Sequence, residues 1–536
     1  MLAASDRRSS LRLALVLALA AAALYAFAAS RRDFWAPDEP DFAEHVREMN
    51  ERRDWLLPYE NGRPYSEKPI LFYWLVAATT PFTGGDVSPF ATRLPSVVGG
   101  AFLVFGAAWL AGRSGGPREA LVAGALTAVC PIAAWQAQFL QIDALFTALV
   151  FAALLLLVRL EDAPSGRLRL LLYVVLALAV LAKGPLALAL VGLVLVVRAV
   201  LRRSAAEIVA LDPVRGALVF LVLVIPWYAA AAAHGGTAYA YDLIVNQNWN
   251  RFFHAFDHQR PWWFYLESIW TDFFPFTLLA LLAPFAIGKE GFASRRDLRF
   301  AALVASTAFL FLSISGSKQG KYLLVAYPFA AVLAAAGIGA AERKNGRALV
   351  ALRLAVLLAA LLILGTALTL PSAAAEYLPR YASLAPLLSI PLAVGAVGAV
   401  VILLRRRSEL AAAVLAVAAT LAAGEAAAAA VVLPAIDVAK TGRPFYARIA
   451  PRVSHGEPLA YYDEAFHSYA ILALRRRVTH IKTERELARW LRETPGALVL
   501  VDGSTAARLH LPETKRLRVL DRQPVGQDEI LLLASE

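Results

Sequence analysis

Residues 141–157 read QIDALFTALVFAALLLL, an apolar run with a single carboxylate, Asp143, near its start. A helix needs about 20 apolar residues to cross the hydrocarbon core of a bilayer. Runs of this kind recur along the chain, so the sequence predicts an α-helical polytopic membrane protein with about 13 transmembrane helices. The predicted spans lie near residues 11–29, 89–111, 118–135, 143–160, 168–183, 184–201, 214–233, 264–288, 300–316, 321–341, 347–370, 385–404 and 409–433.

The composition agrees with a membrane protein and argues against other classes. Of the 536 residues, 59% are hydrophobic and only 18% are charged, whereas about a quarter of the residues in soluble domains are charged. The formal net charge of +12 comes from Arg and Lys at the ends of apolar runs, which is typical of membrane topology and not of a nucleic-acid partner. The single cysteine, Cys130, lies in an apolar run, which excludes a disulfide framework and a cysteine metal site.

The distribution of basic residues predicts the orientation. Short cytoplasmic loops are enriched in Lys and Arg. If the N-terminus is cytoplasmic, the basic loops all fall on the cytoplasmic side, at residues 113–118, 202–203, 295–296, 343–344 and 405–407. An odd number of spans then places the C-terminal residues outside, together with segments 30–88, 136–142, 234–263 and 317–320.

Two domains are predicted, residues 1–433 with the membrane helices and residues 434–536 with the composition of a soluble protein. In the second, a capping box at Thr483 and Glu486 predicts the start of a helix. Short apolar runs predict strands, and together these features predict a small C-terminal α/β domain. The predicted strands lie at 458–462, 497–501, 517–520 and 529–533.

The first outer loop, residues 30–88, is long and mixed in character. Residues 40–53 have a helical pattern. The stretch 70–83 is apolar and aromatic but short for a span, so we expect it to lie at the membrane interface.

Acidic residues at the start of this loop are the first candidates for chemistry. Asp38, Glu39, Asp41 and Glu44 lie close together. Carboxylates here could act as a general base or hold a divalent cation, or they could stabilise the start of a helix. Asp143 could equally be a helix cap, but the predicted topology puts it on the same face as Asp38, so the two carboxylates could converge.

Basic residues on the outer face oppose the usual charge bias, so each needs a reason, either a phosphate or a lipid headgroup. Glu67 and His258 could hold a metal ion, although a lone histidine near carboxylates is more often only hydrogen-bonded. We interpret Lys183 as an interfacial lysine with its ammonium at the membrane surface. The outer-face cations are Lys68, Arg251, Arg260, Lys318 and Lys321.

An ordered set of motifs resembles a known family. The chain reads WAPDEPDFAEHVREM at 35–49, DWLLPYENGRPYSEKPILFYW at 54–74, AKGPLAL at 182–188, HQRPWWFYL at 258–266 and SKQGKYLLVAYP at 317–328. These motifs resemble bacterial membrane glycosyltransferases of the GT-C type, especially the aminoarabinose transferases of lipid A, which are akin to protein mannosyltransferases. The resemblance covers roughly residues 10 to 340.

The resemblance implies a function. In that family a sugar, here 4-amino-4-deoxy-L-arabinose or a neutral hexose, passes from a polyprenyl (undecaprenyl) phosphate to a periplasmic acceptor such as lipid A. It implies a multi-pass protein of the bacterial inner membrane, with no nucleotide cofactor. We expect inversion at the anomeric carbon, because a single displacement needs no covalent intermediate.

The resemblance also implies roles for individual residues. Asp38 takes the place of the family's required acidic residue, with Asp143 as its partner carboxylate. Lys68 resembles the lysine that contacts the lipid-linked phosphate. Glu67 and His258 resemble a divalent metal site. The remaining donor phosphate-binding candidates are Arg251, Arg260, Lys318 and Tyr322.

One motif departs from the family pattern, since Gln319, Gly320 and Lys321 stand where Leu and Pro usually precede the Tyr.

Several alternatives remain at this point. The acceptor could be a protein or another glycan. A transporter of lipid-linked sugars would place its polar groups near the middle of the bilayer on broken helices. Here the polar candidates lie at one face, which favours an enzyme. A noncatalytic assembly factor would explain the C-terminal domain but not Asp38, Lys68 and Asp143.

Overall fold

The computed structural model describes residues 4–253, 257–406, 409–453, 456–463, 467–526 and 528–535. The first helices are α1 (Ala4–Ala29), α2 (Asp38–Arg52), α3 (Leu71–Ala77), α4 (Pro89–Gly115), α5 (Pro117–Ala128), α6 (Pro131–Gln138), α7 (Ile142–Asp162), α8 (Gly166–Lys183), α9 (Leu186–Arg202), α10 (Ala206–Ala210), α11 (Pro213–Leu223), α12 (Ile225–Tyr241) and α13 (Arg251–Phe253). They are followed by α14 (Phe264–Asp272), α15 (Thr277–Ser294), α16 (Arg296–Ile314), α17 (Tyr327–Lys344), α18 (Arg347–Tyr377), α19 (Ala385–Arg405), α20 (Leu410–Ala427), α21 (Leu433–Asp437), α22 (Arg443–Val453), α23 (His467–Leu474), α24 (Glu484–Glu493), α25 (Gly503–Ala506) and α26 (Pro512–Lys515).

The strands are β1 (Tyr59–Glu60), β2 (Arg63–Pro64), β3 (Leu459–Tyr462), β4 (Thr479–Ile481), β5 (Leu498–Asp502), β6 (Leu517–Val525) and β7 (Asp528–Ser535). The chain forms two compact units. The helical unit comprises Met1–Ser30, Ser66–Phe72 and Arg93–Val431. The α/β unit comprises Arg31–Tyr65, Tyr73–Thr92 and Val432–Glu536.

The helical unit contains the apolar helices. Within the described residues, nine helical segments are long and apolar enough to cross a membrane, or up to eleven if each of two bent pairs is one span. A helix lies at each of the thirteen predicted spans. Two of these helices are not among the eleven. The helix α9 has only 17 residues, and the 18 residues of α8 include three charged ones, Arg167, Arg169 and Lys183, where at most two are expected in a span.

Two of the predicted spans are bent. The axes of α5 and α6 differ by 61°, and those of α14 and α15 differ by 100°. Pro131 stands at the first break and Pro275 at the second. Proline lacks the backbone donor that would continue the helical ladder, so each bend has a local cause.

The α/β unit is built on a five-stranded sheet in the order β4-β3-β5-β7-β6. β3 is parallel to both β4 and β5, while β7 is antiparallel to β5 and β6. The helix α24 covers one face, with Leu487 and Leu491 packed in a core with Val499 and Val501. Its N-terminus has the predicted capping box of Thr483 and Glu486.

Most of the first loop, Arg31–Tyr65 and Tyr73–Thr92, belongs with the C-terminal residues to the α/β unit. The helix α2 contacts α23. The Asp33 backbone N–H and the Trp35 indole N–H both donate to Asp437 Oδ1, at 3.0 and 2.6 Å. The Asn61 side chain forms two hydrogen bonds with the Val478 backbone, at 2.7 and 3.0 Å.

The predicted fold class, a polytopic helical membrane protein with a small C-terminal α/β fold, is confirmed. All four predicted strands are present, and the predicted helix at 40–53 is α2. The strand β4 was not predicted. In the stretch 70–83, the structure has the short helix α3 and a 3₁₀ turn at Thr80–Thr83.

Candidate active site

The carboxylate of Asp143 is the centre of the candidate site in the helical unit. Asp143 is the second residue of α7, and Lys183 is the last residue of α8. The two helices are joined by a short connection and pack side by side, so the start of α7 meets the end of α8. The Lys183 ammonium forms an ion pair with Asp143 Oδ1, and Lys321 Nζ lies 3.6 Å from Oδ2.

This ion pair is shielded from solvent. Asp143 is only 4% exposed. The Lys183 ammonium also lies 4.6 Å from the centre of the Tyr322 ring and 5.5 Å from that of Phe146, which are cation–π distances. The buried Asp143 carboxylate needs cationic partners such as Lys183 and Lys321, because the burial of an unpaired charge costs free energy.

Lys68 adds a further cation from the segment Ser66–Phe72. Burial, and after it the charge of Arg251, lowers the pKa of Lys68 to about 8. Glu67, Lys183 and Asp143 also act on Lys68 electrostatically. The structure thus brings together a cation cluster, which we define as Lys68, Lys183, Arg251 and Lys321 around Asp143.

Arg251 directly follows a π-helical segment, which has wider turns than an α-helix. The segment Asp242–Asn250 is π-helical and leads directly into α13, which begins at Arg251. The Arg251 guanidinium donates to Gln247 Oε1 at 2.9 Å and forms an ion pair with Asp257. These contacts fix its direction.

Two other predicted phosphate contacts have different surroundings. The Lys318 ammonium donates to the carbonyl oxygens of Arg260, at 3.2 Å, and Ser315. Lys318 is 3% exposed, and its backbone N–H donates to the His258 carbonyl at 3.0 Å. These bonds tie the loop before Gln319 to the 257–260 segment. Arg260 is exposed, with its guanidinium 5.9 Å from the centre of the Phe264 ring.

The two predicted metal ligands, Glu67 and His258, have different charged neighbours. Glu67 is 46% exposed and lies 3.7 Å from the Lys68 ammonium. His258 is 48% exposed, with Nε2 3.9 Å from Asp257 Oδ2. Among the residues that the structure describes, no group of three or more His, Cys, Asp and Glu side chains could hold a metal ion. The metal site remains a prediction without support from this geometry.

In the α/β unit, the four acidic residues predicted at the start of the first loop differ in their exposure to solvent. Asp38 is the first residue of α2 and is half-buried. Glu39 is fully buried, pairs with Arg32 at 2.5 Å and accepts the Trp35 backbone N–H at 2.9 Å. Glu39 therefore stabilises the turn before α2.

Glu44 is also fully buried and pairs with Arg47 at 2.6 Å. Burial raises the pKa of Glu44 to about 7. Of the four carboxylates predicted at the start of the loop, Asp38 and Asp41 are half-buried, whereas Glu39 and Glu44 are buried. Because Asp38 belongs to the α/β unit, its convergence with Asp143 remains a prediction.

Known proteins resemble this chain in both sequence and fold. Residues 67–229 match the family described as dolichyl-phosphate-mannose-protein mannosyltransferase. An undecaprenyl phosphate-α-4-amino-4-deoxy-L-arabinose arabinosyl transferase from Shewanella sediminis is 28% identical over 348 residues, which cover 64% of this chain and 62% of that protein. The transferase of the same name from Pseudomonas aeruginosa (strain LESB58) is 31% identical over 318 residues, 58% of this chain and 56% of that one.

The structural match extends over nearly the whole chain. The crystal structure of ArnT from Cupriavidus metallidurans bound to undecaprenyl phosphate superposes with a TM-score of 0.77 over 97% of both chains, at 20% identity. The chain has the GT-C fold. It is a multi-span membrane protein similar to the aminoarabinose transferases, although it aligns with less than two thirds of the length of the two relatives above.

Placing the cluster on the GT-C fold shows what sequence reasoning missed. Lys68, Asp143 and Lys183 lie inside the family match, whereas Arg251 and Lys321 lie beyond it. Lys183 was interpreted as an interfacial lysine, but it pairs with Asp143. A signal was present, because the predicted spans 143–160 and 168–183 run in opposite directions and put both residues at the same end of the GT-C helices.

Proposed function

We propose that this protein is an integral-membrane glycosyltransferase that moves 4-amino-4-deoxy-L-arabinose from undecaprenyl phosphate to lipid A. The observation that carries the proposal is the cation cluster around Asp143. The four cations outnumber the three carboxylates paired with them, Asp143, Asp257 and Glu67, and the remaining positive charge suits a phosphate better than a neutral ligand. The names of the relatives supply the donor, and the GT-C fold is compatible with it.

The proposed chemistry is a single displacement with inversion. The acceptor hydroxyl oxygen forms a bond to the anomeric carbon while the bond from that carbon to the phosphate oxygen breaks. Asp38 accepts the hydroxyl proton, and undecaprenyl phosphate leaves with the electron pair. A general base in this position typically contributes about 10²–10⁴-fold to the rate.

The cation cluster would act on the leaving group. The donor is a phosphodiester with one negative charge, and the departing phosphate monoester gains charge as the bond breaks. Lys68 and Arg251 therefore interact more strongly with the transition state than with the donor, which is the condition for catalysis. Asp143 holds Lys183 and Lys321 in place and offsets part of their charge.

The proposed setting is the bacterial inner membrane, with the N-terminus in the cytoplasm and the site and the α/β unit in the periplasm. The positive-inside distribution of the basic loops supports this orientation. An acceptor on the periplasmic face is consistent with it, and lipid A is the acceptor that the aminoarabinose resemblance favours.

The test is sugar transfer by membranes that contain the wild type or the Asp38→Asn variant, with a panel of polyprenyl-phosphate sugars. We expect turnover of the aminoarabinose donor and a loss on the order of 100-fold in the variant, because the amide cannot accept the proton. Asp41→Asn is the matched control, since Asp41 lies on the same helix and is also half-buried. Transfer to a glycan or a protein but not to lipid A would show that lipid A is not the acceptor.

Two outcomes would contradict the proposal. Full activity of Asp38→Asn on a donor that the wild type turns over would show that Asp38 is not the base. Flipping of lipid-linked sugar without transfer, reduced by the cluster variant Lys68→Ala, would indicate a transporter.

A further inference from the structure

A second acidic residue in the helical unit, Asp242, connects the two chain segments that supply Lys68 and Arg251. The Ser66 hydroxyl donates to Asp242 Oδ2 at 2.6 Å. Ser66 lies two residues before Lys68. Asp242 is the first residue of the π-helical segment that ends at Asn250, directly before Arg251.

Asp242 is also bound to its own helix. The side-chain amides of Asn246 and Gln247 donate to Oδ1 and Oδ2 at 3.1 and 3.5 Å. Gln247 in turn accepts the Arg251 guanidinium at 2.9 Å. A continuous chain of hydrogen bonds therefore runs from Ser66 through Asp242 and Gln247 to Arg251.

The backbone around Asp242 supports a role at the site. A π-helix is rare and is often found at functional sites, because its wider turn changes the direction of side chains relative to an α-helix. Here the π-helical segment carries four side-chain amides and leads into Arg251. A purely lipid-facing helix end would have no use for that concentration of polar groups.

We infer that Asp242 is a positioning residue that sets the spacing between Lys68 and Arg251 for the phosphate of a polyprenyl lipid. This inference rests on the proposed function and adds to it a residue that contacts neither sugar nor phosphate. The Ser66 bond fixes the segment of Lys68, and the Gln247 bond fixes Arg251. A phosphate that bridges both cations then meets a site that is already ordered, so it pays less of the ordering cost on binding.

The hydrogen bonds to Asp242 predict which substitutions keep the bridge to Ser66 and which break it. All three groups that donate to Asp242 are neutral. Ser66 and Gln247 both donate to Oδ2, so asparagine with its single oxygen at that position retains the bridge and gives up only the bond from Asn246, whereas Asp242→Ala removes the bridge. Ser66→Ala breaks the same bridge from the other side by the loss of one hydroxyl, and Ser66→Thr restores the hydroxyl.

The experiment is equilibrium binding of undecaprenyl phosphate, without sugar, to the purified full-length protein in detergent, together with the KM for donor and for acceptor in the transfer assay. We expect Asp242→Ala and Ser66→Ala each to weaken lipid phosphate binding about tenfold, the size of one hydrogen bond to a charged group. The KM for the acceptor should not change. Asp242→Asn and Ser66→Thr should bind like the wild type.

A double-mutant cycle separates positioning from a general loss of folding. If the two residues act through one bridge, the double variant Asp242→Ala with Ser66→Ala should bind about tenfold more weakly than the wild type, as each single variant does, and not a hundredfold more weakly. Asp212→Ala is the matched control, because Asp212 caps the other end of the same helical stretch and should leave lipid binding unchanged.

The possible results are distinct. If the wild type binds the lipid and the two alanine variants bind it equally well, the positioning role is wrong while the proposed function stands. If Asp242→Asn is as weak as Asp242→Ala, charge and not the bridge matters, and the inference fails. If the wild type binds no undecaprenyl phosphate and transfers no sugar, the proposed function falls and the inference with it.

Discussion

The Lys68 ammonium carries its charge where both burial and neighbouring cations disfavour it. Its side chain is 18% exposed, and Arg251 and Lys183 act on it with like charge. The resulting pKa of about 8 means that the free site begins to lose this proton in mildly alkaline solution. A bound phosphate would reverse the effect, since an opposite charge favours the protonated amine.

This pKa leads to a pH prediction. Below about pH 8 Lys68 is charged and binds the donor phosphate, and above it the neutral amine binds more weakly. We therefore expect kcat/KM for the donor to fall as the pH rises through about 8, because kcat/KM reports the free enzyme. Lys68→Arg should remain active at higher pH, since arginine keeps its proton.

The matched control is Lys289→Arg, at an exposed lysine of α15. Its pH profile should match that of the wild type. An alkaline limb that is unchanged in Lys68→Arg would assign the titration to another group.

At the scale of elements, the turn between α8 and α9 supports the site. Gly184 follows Lys183 and has φ of 87° and ψ of −167°, a region that essentially only glycine adopts. A Cβ at this position would lie 2.6 Å from Asn248 Oδ1, in the π-helical segment. The backbone conformation therefore requires glycine, and a Cβ here would also displace the Asn248 side chain in the segment before Arg251.

We predict that Gly184→Ala lowers transfer activity roughly tenfold or more, because small displacements of positioned groups are costly in rate. Sugar transfer by membranes with equal amounts of protein measures the effect. Gly192→Ala is the matched control, since a Cβ there meets nothing within 4 Å. Equal activity of both variants would show that the turn can relax without moving the site.

The elements also show what the sequence can and cannot predict. Apolar runs predict the long helices because bilayer thickness fixes their length. The strand β4 escapes this reasoning, since it has three residues, of which only Ile481 is buried. The Asp143–Lys183 pair follows from predicted span directions, but Lys321 reaches Asp143 only through the packing of separate helices.

Over the whole molecule, the largest unpredicted feature is the partnership between the first loop and the C-terminal residues. Each segment looks independent in sequence, because contacts between residues about 400 positions apart leave no local pattern. The hydrogen bonds from Asp33 and Trp35 to Asp437 are such contacts. Most of the first loop, including Asp38, is therefore part of a folded α/β unit and not an isolated connection between spans, while Ser66–Phe72 belongs to the helical unit.

The orientation of the whole chain is open to a direct test. We expect Ser504→Cys to react with a membrane-impermeant thiol reagent in cells whose outer membrane is permeabilised, because the C-terminal residues are predicted outside. Ser204→Cys, next to the basic pair Arg202 and Arg203, should be protected. The native Cys130 is fully buried and gives little background. The reverse labelling pattern would overturn the orientation.

The contacts between the first loop and the C-terminal residues also delay the folding of the α/β unit during biosynthesis. Asp33 leaves the ribosome 404 residues before Asp437. At roughly 5–20 residues per second, this interval lasts about 20–80 s. During that time the loop has left the membrane but lacks the strands and helices that complete its core. The nascent chain therefore exposes apolar surface until the C-terminal strands and helices have been synthesised, so termination before them would leave a product that quality-control proteases can recognise.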